Sequence, residues 1–450
     1  MSDAMAMFLR ADLLPIVAAL SAALSCALLG NFLVLRRESM LGDAISHAVL
    51  PGIVAGFLMT GSRAGLPMLL GAGAAGITAV VLVELVRRLG RVEPGAAMGV
   101  VFSVMFALGV VLMEQAAADH VDLDAGCVLY GQLESLSWWL PDDLLAAPLS
   151  SEALDLVPSE IWLLLSTLVV VVVFVLVMFK ELRLASFDRQ LATSLGFRPR
   201  LVSYALAIMV ALVTVASFKA VGSILVVAML VCPPAAARML TDRLETQVIL
   251  SAVIGTAVAL SAYALGAWGA PAVGLSGSVN IAGMMATVGG GALALAVVAS
   301  PTHGVIARAR RRRSLAARVG IEDLVGSLYR SEELGSDAVA PEVLASLLGG
   351  QARAARSVQR GLAQGLVERS EGGIRLTDAG RTRGAATIRS HRLWETYLVE
   401  EVGLRPDHVH VPAETLEHVR ADSGRPIGPS SSVSVDPHGH PIPGGEGNGE

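Results

Sequence analysis

Long apolar runs separated by short polar connections dominate the first two thirds of this 450-residue chain. A helix needs roughly 20 apolar residues to cross a bilayer. Nine runs come close to that length and are predicted to span: 13–35, 43–61, 65–86, 96–118, 160–179, 201–218, 221–239, 247–268 and 280–300. The two weakest are 43–61, which contains Asp43 and His47, and 221–239, which contains two prolines. Eight spans, or one re-entrant segment, are therefore the alternatives.

The composition supports a membrane-embedded first part and a different second part. Of all residues 54% are hydrophobic and 16% charged, whereas soluble chains carry about 25% charged residues. From about residue 305 to 420 the chain becomes charged and amphipathic, and from Ser423 it is rich in Pro, Gly, Ser and His. Such a tail is predicted to be largely disordered. The predicted domains are a transmembrane domain, a basic linker, two soluble regions and this tail: 1–304, 305–319, 320–390, 391–422 and 423–450.

Basic residues follow every second predicted span, and they orient the chain. These connections carry Arg36, Arg37, Arg87, Arg88, Arg91, Lys180, Arg183, Arg189, Arg198, Arg200, Arg238, Arg243 and the run 308–313. The positive-inside rule assigns such connections to the cytoplasm. The acidic stretch 119–159 has no Lys or Arg and is predicted outside. Nine spans then put the N-terminus outside and the C-terminus inside.

Asp43 and His47 are the candidate metal ligands of the membrane part. Residues four apart share one face of a helix, and ionisable groups in a span usually face the bundle interior or a watery path. A carboxylate and an imidazole suit zinc, manganese or iron, or form a proton relay. The alternative is a purely structural pair, with Asp43 stabilised by the helix dipole. Pro51 and Gly52 follow one turn later and can bend this helix.

The connection 181–200 is predicted to contain a short amphipathic helix from Asp188 to Leu195, ended by Gly196. The charge rule makes this connection cytoplasmic. A helix between two spans suits docking onto a cytoplasmic partner. A loop without any partner is the alternative.

Five segments of the membrane part are similar to the permease subunits of ABC importers for zinc, manganese and iron. They are RRESMLGDAISHAVLPGIVAG (36–56), MGVVFSVMFALGVVLM (98–113), VDLDAGCVLYGQLESL (121–136), FDRQLATSLGF (187–197) and VGSILVVAMLVCPPAAARML (221–240). The resemblance implies a bacterial-type cytoplasmic membrane and a dimer with a second permease, identical or different. It also implies that Asp43 and His47 face the ion path.

The same resemblance implies two further partners. An ATPase subunit would dock on the short cytoplasmic helix, at Asp188, Leu191, Ala192 and Gly196. A metal-loaded extracytoplasmic binding protein would deliver the ion. This chain has no GxxxxGK[ST] phosphate loop, so ATP hydrolysis is expected in the separate subunit and the chain itself is predicted not to be an enzyme.

Residues 320–390 are predicted to form a winged helix-turn-helix. Helices are expected at 321–334, 341–348 and 352–366, and the wing at 372–377. The third helix exposes three arginines that can contact phosphate or base edges: Arg353, Arg356 and Arg360. A solvated basic face is the alternative.

Residues 391–422 contain carboxylates and imidazoles at helical spacing. His391 and Glu395 are four apart, and Glu414, Glu417 and His418 follow at i, i+3 and i+4, with His410 four residues before Glu414. Such a mixed set favours manganese, iron or zinc. A solvated charged face is again the alternative.

Residues 320–422 also resemble the metal-dependent repressors of the diphtheria-toxin-repressor and manganese-repressor kind. The resemblance implies a regulatory metal set of Asp323, His391, Glu395, His410, Glu414, Glu417 and His418. Glu414 matches the manganese-type members of that family and so favours manganese. Gly326 stands where those members often have Glu, which weakens this preference. The helix that helps such repressors dimerise is missing here, although DPHGHPIP (436–443) is similar to the end of that family.

The sequence thus predicts a polytopic helical permease of an ATP-driven importer of manganese, zinc or iron, with a cytoplasmic metal-responsive domain that restrains transport. The alternative is a membrane-tethered, metal-dependent regulator that binds DNA. A third hypothesis is an exporter or a proton-coupled carrier.

Overall fold

The computed structural model describes residues 3–38, 40–60, 65–118, 133, 136–141, 148, 150–269, 280–418 and 434–444. Most of the acidic stretch 119–159, and most of the segment 121–136, lie outside these residues. The chain divides into two compact units, Met1–Ala307 and Arg308–Glu450. Both units are built mainly from helices.

The first unit is a bundle of helices, α1 to α13. Their bounds are α1 Asp3–Arg36, then α2 Leu41–Ala48, α3 Leu50–Thr60, α4 Gly65–Gly90, α5 Pro94–Ala118, α6 Ser151–Asp155, α7 Ser159–Val177, α8 Phe179–Phe187, α9 Arg189–Ser194, α10 Pro199–Val221, α11 Ser223–Leu240, α12 Leu244–Ala264 and α13 Ile281–Ala299. A π-helical turn, Leu265–Gly269, extends α12.

Eight helices among the described residues are long and apolar enough to cross a membrane, with α2 and α3 together forming one of them. The polytopic helical fold is thereby confirmed. The predicted span 221–239 corresponds to Ile224–Leu240, an apolar helix of shorter length.

The predicted bend after His47 lies at Val49, between α2 and α3. Pro51 has no amide hydrogen and cannot continue the bonding pattern of α2. The amides of Gly52 and Ile53 both donate to the carbonyl of Val49, at 3.0 and 3.1 Å. Two short helices therefore share one span, and the first of them carries Asp43 and His47.

A buried polar network fastens α1 to α12 inside the bundle. Asn31 donates to the hydroxyl of Ser251 at 2.6 Å and accepts from the side-chain amide of Gln247 at 3.0 Å. All three side chains are almost fully buried. In an apolar surrounding such hydrogen bonds hold helices together where the hydrophobic effect contributes little.

The second unit has the element order predicted for 320–390. It contains most of α14 Val305–Glu333, whose first three residues belong to the first unit. The other elements are α15 Pro341–Leu347, α16 Gln351–Ala363, β1 Val367–Ser370, β2 Gly373–Leu376, α17 Asp378–Glu400 and α18 His410–Leu416. The two strands are antiparallel, with Val367 opposite Leu376 and Ser370 opposite Gly373. Leu324, Leu344 and other apolar residues from these elements form one core. The winged-helix assignment itself stays a prediction.

The predicted disordered tail requires a correction for residues 434–444. This segment makes an isolated bridge between Val435 and Pro441, and its carbonyls accept hydrogen bonds from two arginines of α17. Arg389 donates to the carbonyl of Pro443, and Arg392 to that of Pro441. The composition predicted disorder because it carries no information on contacts with residues that are distant in the chain. The rest of 423–450 lies outside the described residues.

Candidate metal sites

Asp43 and His47 lie together on α2, as their spacing predicted. Oδ1 of Asp43 is 3.4 Å from Nε2 of His47, and their side chains are 38% and 27% exposed. The His47 ring lies 4.7 Å from the ring of Phe102 and 5.6 Å from that of Phe106. The pair is therefore half-buried and bounded on one side by aromatic rings of α5.

The short helix α9 begins as predicted, because Asp188 caps it. The Asp188 carboxylate accepts from the amides of Gln190 and Leu191, at 2.8 and 2.9 Å. Gly196 ends the segment with a φ of +83°, a conformation that favours glycine. Leu191 is exposed while Ala192 is buried, so the helix presents one apolar side chain outwards.

The first ligand cluster of the second unit joins α17 to α18. Nε2 of His391 lies 3.1 Å from Oε1 of Glu395 and 3.0 Å from Nδ1 of His410. Nδ1 of His410 lies 2.9 Å from the same Glu395 oxygen. Three donor atoms at the corners of a triangle with sides near 3 Å fit one ion at about 2.1 Å from each corner.

The second cluster joins α14 to the residues that follow α18. Its members are Asp323, Glu417 and His418, whose ligand atoms all lie within 4.8 Å of one another. Nε2 of His418 is 3.0 Å from Oδ1 of Asp323 and 3.6 Å from Oε1 of Glu417. The donor set, one imidazole and two carboxylates, suits manganese, iron or zinc.

Glu417 contacts both clusters. Its second oxygen, Oε2, lies 2.5 Å from Nδ1 of His391, while Oε1 faces His418. One carboxylate therefore connects the two candidate sites. Glu414, the one predicted ligand of the seven that is in neither cluster, is exposed on α18.

The titration behaviour of the clusters follows from their hydrogen bonds. Burial by itself lowers the pKa of His418, but its bonds with Asp323 and Glu322 and the charge of Glu417 raise it to about 9. For His391, too, burial is outweighed by Glu395 and Glu417, and its pKa is raised. Burial raises the pKa of Glu395, yet His391 and His410 hold it at about 2. The Glu395 carboxylate is thus available to a cation, which must displace imidazole protons.

Sequence reasoning missed Glu322. Its buried carboxylate lies 2.9 Å from Nδ1 of His418, on the ring nitrogen opposite the one that faces Asp323. A carboxylate in that place fixes the tautomer and the orientation of a metal-binding imidazole. Glu322 directly precedes Asp323 in the chain, but only the fold brings it to a histidine 96 residues away.

Sequence reasoning also missed the neighbours that the tail supplies. Nε2 of His438 lies 3.9 Å from Oε1 of Glu395. Asp436 is buried, and its Oδ2 lies 3.6 Å from Nε of Arg392. The similarity of DPHGHPIP to the end of a repressor family was the available signal, but it gave no position for these side chains.

The three arginines predicted to contact DNA are all exposed on α16. Arg353 donates from Nη2 to Oδ2 of Asp323 at 2.7 Å. Arg356 donates to the carbonyl of Ala352 within its own helix, at 3.0 Å. One predicted DNA contact is thus paired with a predicted metal ligand.

Comparisons with known proteins agree with the division of the chain into a membrane part and a second unit. The ABC 3 transport family matches residues 10–138 and 145–300. The iron dependent repressor, metal binding and dimerisation domain matches residues 377–424. The chain is similar to the "Manganese transport system membrane protein MntD" of Bacillus subtilis (strain 168), with 44% identity over 287 residues, which are 64% of this chain and 91% of that protein.

The match to a second relative covers more of the chain. The "Zinc transport system membrane protein TroD" of Treponema pallidum (strain Nichols) is 35% identical over 384 residues, 83% of this chain and 98% of that protein. Among solved structures, PsaBC from Streptococcus pneumoniae in complex with Fab has a TM-score of 0.51 at 23% identity. It covers 64% of this chain and 91% of that chain, and the likeness supports the same fold for the membrane part.

Proposed function

The chain belongs to the ABC 3 transport family, and from this premise we propose that it is the membrane permease of an ATP-driven importer of a divalent transition metal: manganese, zinc or iron. The relatives that match its first unit are named as manganese and zinc transport proteins. The observation that carries the proposal is the half-buried Asp43–His47 pair on a helix of that unit.

Asp43 and His47 are the proposed ligands of the ion in transit. Two protein ligands bind an ion weakly enough to let it leave again, which transport requires. The rings of Phe102 and Phe106 beside His47 restrict the freedom of the imidazole. Water or a second permease would supply the remaining ligands.

The partners follow from the same proposal. ATP is hydrolysed by a separate ATPase subunit that docks on α9, where Leu191 is exposed and Asp188 caps the helix. A metal-loaded binding protein delivers the ion from the other side, and a second permease, identical or different, completes the membrane assembly. The chain itself performs no chemistry on ATP.

The proposed orientation has the N-terminus outside and the C-terminus in the cytoplasm. Contacts between the basic connections support it, since they meet at one end of the unit. Arg87, Arg189 and Arg200 line one cavity, and Arg183 pairs with Glu245 at 2.6 Å. Because α10 leaves this end and α12 begins there, α11 would have to return across the membrane between them, as a ninth span.

The second unit is the proposed metal-responsive regulator. Its two clusters would bind the imported ion in the cytoplasm and restrain transport when that ion is plentiful. Removal of residues 320–450 should then abolish the inhibition of uptake by internal metal. Inhibition that persists in the shortened permease would reject this regulatory role.

Reconstitution tests the transport function. The permease, its ATPase subunit and its binding protein are placed in liposomes, and ATP-dependent uptake of manganese, zinc and iron is compared. The double variant Asp43→Ala/His47→Ala should lose uptake of the preferred ion. As a matched control, Asp242→Ala/His303→Ala removes a second Asp–His pair of the same unit, 3.1 Å apart, and should transport normally.

The second candidate function is metal-dependent DNA binding by the membrane-tethered second unit. The exposed Arg353, Arg356 and Arg360 on α16 favour it. The full chain in nanodiscs, mixed with operator-length DNA at low salt, where phosphate contacts are strongest, should bind when metal is added. Absence of binding under these conditions would exclude this function.

A further inference from the structure

Glu38 lies in the turn between α1 and α2, and its carboxylate faces arginines of two other elements. Oε1 is 3.5 Å from Nη2 of Arg189 on α9 and 3.9 Å from Nη1 of Arg87 near the end of α4. Only 13% of the Glu38 side chain is exposed. Partly buried ion pairs are screened less by salt than those on an open surface, so Glu38 holds α9 and α4 to this turn.

The backbone of Glu38 also belongs to the start of α2. Its carbonyl accepts from the amide of Leu41, the first residue of that helix, at 3.0 Å. Asp43 lies two residues further on, in the first turn. A single residue therefore contacts α9 through its side chain and α2 through its main chain.

The turn itself is strained. Arg37 has φ +59° and ψ +31°, a left-handed conformation that residues other than glycine rarely adopt. Neighbours hold it in place, because Arg36 donates to the hydroxyl of Ser186 on α8 at 3.1 Å and to that of Ser203 on α10 at 2.9 Å. Strain that depends on surrounding contacts is released or increased when those contacts move.

A cavity of about 810 Å³ lies beside this turn, and Glu38, Arg87 and Arg189 are among its lining residues. Gln190 and Thr193 of α9 line it as well. Side chains therefore bridge α9 and α4 across this space, and the ion pairs of Glu38 are part of that bridge.

We propose that Glu38 is a positioning residue that transmits a displacement of α9 to the Asp43–His47 pair. The inference rests on the proposed function, since docking of the ATPase subunit supplies the displacement. When α9 moves, Arg189 pulls the Glu38 side chain with it. The main chain of Glu38 then shifts the first turn of α2. Helix shifts of this kind are typically about 1–2 Å, enough to change the Asp43–His47 separation and release the ion.

The test uses the full complex in liposomes and measures ATP hydrolysis and metal uptake in the same sample. In Glu38→Gln, which keeps the shape and removes the charge, we expect the number of ions taken up per ATP to fall about fivefold or more. The ATPase subunit should still co-purify. Arg189→Gln should behave alike, and the double variant should be no worse than either single variant, because the two residues act as one unit.

The matched control is Arg183→Gln. Arg183 forms an ion pair with Glu245 at 2.6 Å, which joins α8 to α12 without contacting Glu38. Ions per ATP should stay at the wild-type value in this variant. An equal fall in Arg183→Gln would mean that any lost ion pair has this effect and would overturn the assignment to Glu38.

Hydrogen exchange distinguishes transmission from a merely structural role. In the wild-type complex, a non-hydrolysable nucleotide should change amide exchange in residues 40–48, and in Glu38→Gln it should not. An unchanged uptake ratio, an exchange response that survives in Glu38→Gln, or loss of the ATPase subunit from that variant would each overturn the proposal. If the wild-type complex itself imports no metal, the proposed function fails, and the inference fails with it.

Discussion

Arg353 donates from Nη2 to Oδ2 of Asp323 at 2.7 Å, which joins the helix predicted to contact DNA to a predicted metal ligand. The other Asp323 oxygen lies 3.0 Å from Nε2 of His418. Asp323 is thus shared between an exposed arginine and a metal cluster. A cation on Asp323 would offset its negative charge and weaken its attraction for Arg353.

Removal of the negative charge of Asp323 should therefore have the same effect on Arg353 as a bound metal ion. In Asp323→Asn we expect the metal-free full chain in nanodiscs to bind DNA about twofold to fivefold more tightly at low salt, the range of one exposed ion pair. Fluorescence anisotropy of labelled DNA measures this affinity. Asp407→Asn, which breaks the exposed pair with Arg405, is the control and should bind as the wild type. Unchanged or weaker binding by Asp323→Asn would contradict the link.

Metal binding at the second cluster should release protons at neutral pH. Burial lowers the pKa of His418, but Asp323, Glu322 and Glu417 raise it to about 9. The pKa exceeds the ordinary value of 6.5, so these contacts stabilise the metal-free fold fully below about pH 6.5 and are lost as the pH rises through 9. An ion needs unprotonated Nε2, so affinity should rise about tenfold per pH unit between pH 7 and 9 and then level off.

Calorimetric titration of the full chain with Mn²⁺, in buffers of different ionisation enthalpy, counts these protons. His418→Gln should lose one of the two bound ions together with its share of the released protons, while the first cluster still binds. His408→Gln changes an exposed histidine outside both clusters and should retain both. A pH-independent affinity in the wild type would show that His418 does not bind the ion.

Features encoded within one turn of the chain were predictable from the sequence. The spans follow from apolar length, the Asp43–His47 contact from helical spacing, and the bounds of α9 from Asp188 and Gly196. Each depends on neighbours no more than a few residues apart. The left-handed Arg37 had no such signal, because the contacts that hold its turn come from α8, α9 and α10.

The candidate metal set could be predicted only as a list. Spacing put Glu414, Glu417 and His418 on one helical face, but α18 ends at Leu416, and Glu414 stays exposed while the other two turn towards α14 and α17. The division into two clusters, and the role of Glu322, depend on how helices almost 100 residues apart in the chain pack together. Periodicity carries no information on such packing.

Arg392 should hold the segment 434–444 on α17. Its side chain is 7% exposed, and its guanidinium contacts Glu333, Asp436 and the carbonyl of Pro441. Arg392→Ala removes this guanidinium, while the buried Asp436 carboxylate keeps its contacts within its own segment, with the amides of His438 and His440 and the His440 ring. We expect a cost of about 1–3 kcal/mol. We expect the segment to detach, detected as faster amide exchange and faster proteolysis at 434–444.

Arg405→Ala is the control for Arg392→Ala. Arg405 pairs with Asp407 at the surface, where both side chains are more than half exposed, and exposed pairs of this kind contribute little to stability. Exchange in 434–444 should then stay as in the wild type. Equal protection in Arg392→Ala and Arg405→Ala would show that other contacts hold the segment.

The crossing of α3 and α4 should tolerate no side chain at Gly71. A Cβ added there would lie 2.1 Å from the carbonyl oxygen of Gly52, and one added at Gly52 would lie 2.2 Å from that of Gly71. Close helix approach at small residues is a common way of packing in membranes. Gly71→Ala should therefore force α3 and α4 apart, at a cost of roughly 1–3 kcal/mol, and lower the thermal unfolding midpoint in detergent by several degrees.

Gly73 on the same helix provides the matched control, because an added Cβ there would meet no atom within 4 Å. Gly73→Ala should leave the midpoint unchanged or raise it slightly, since alanine favours a helix by about 1 kcal/mol over glycine. Since α3 continues the span that carries Asp43 and His47, Gly71→Ala should also reduce metal uptake more than Gly73→Ala does. Equal midpoints and equal uptake in the two variants would contradict the close crossing.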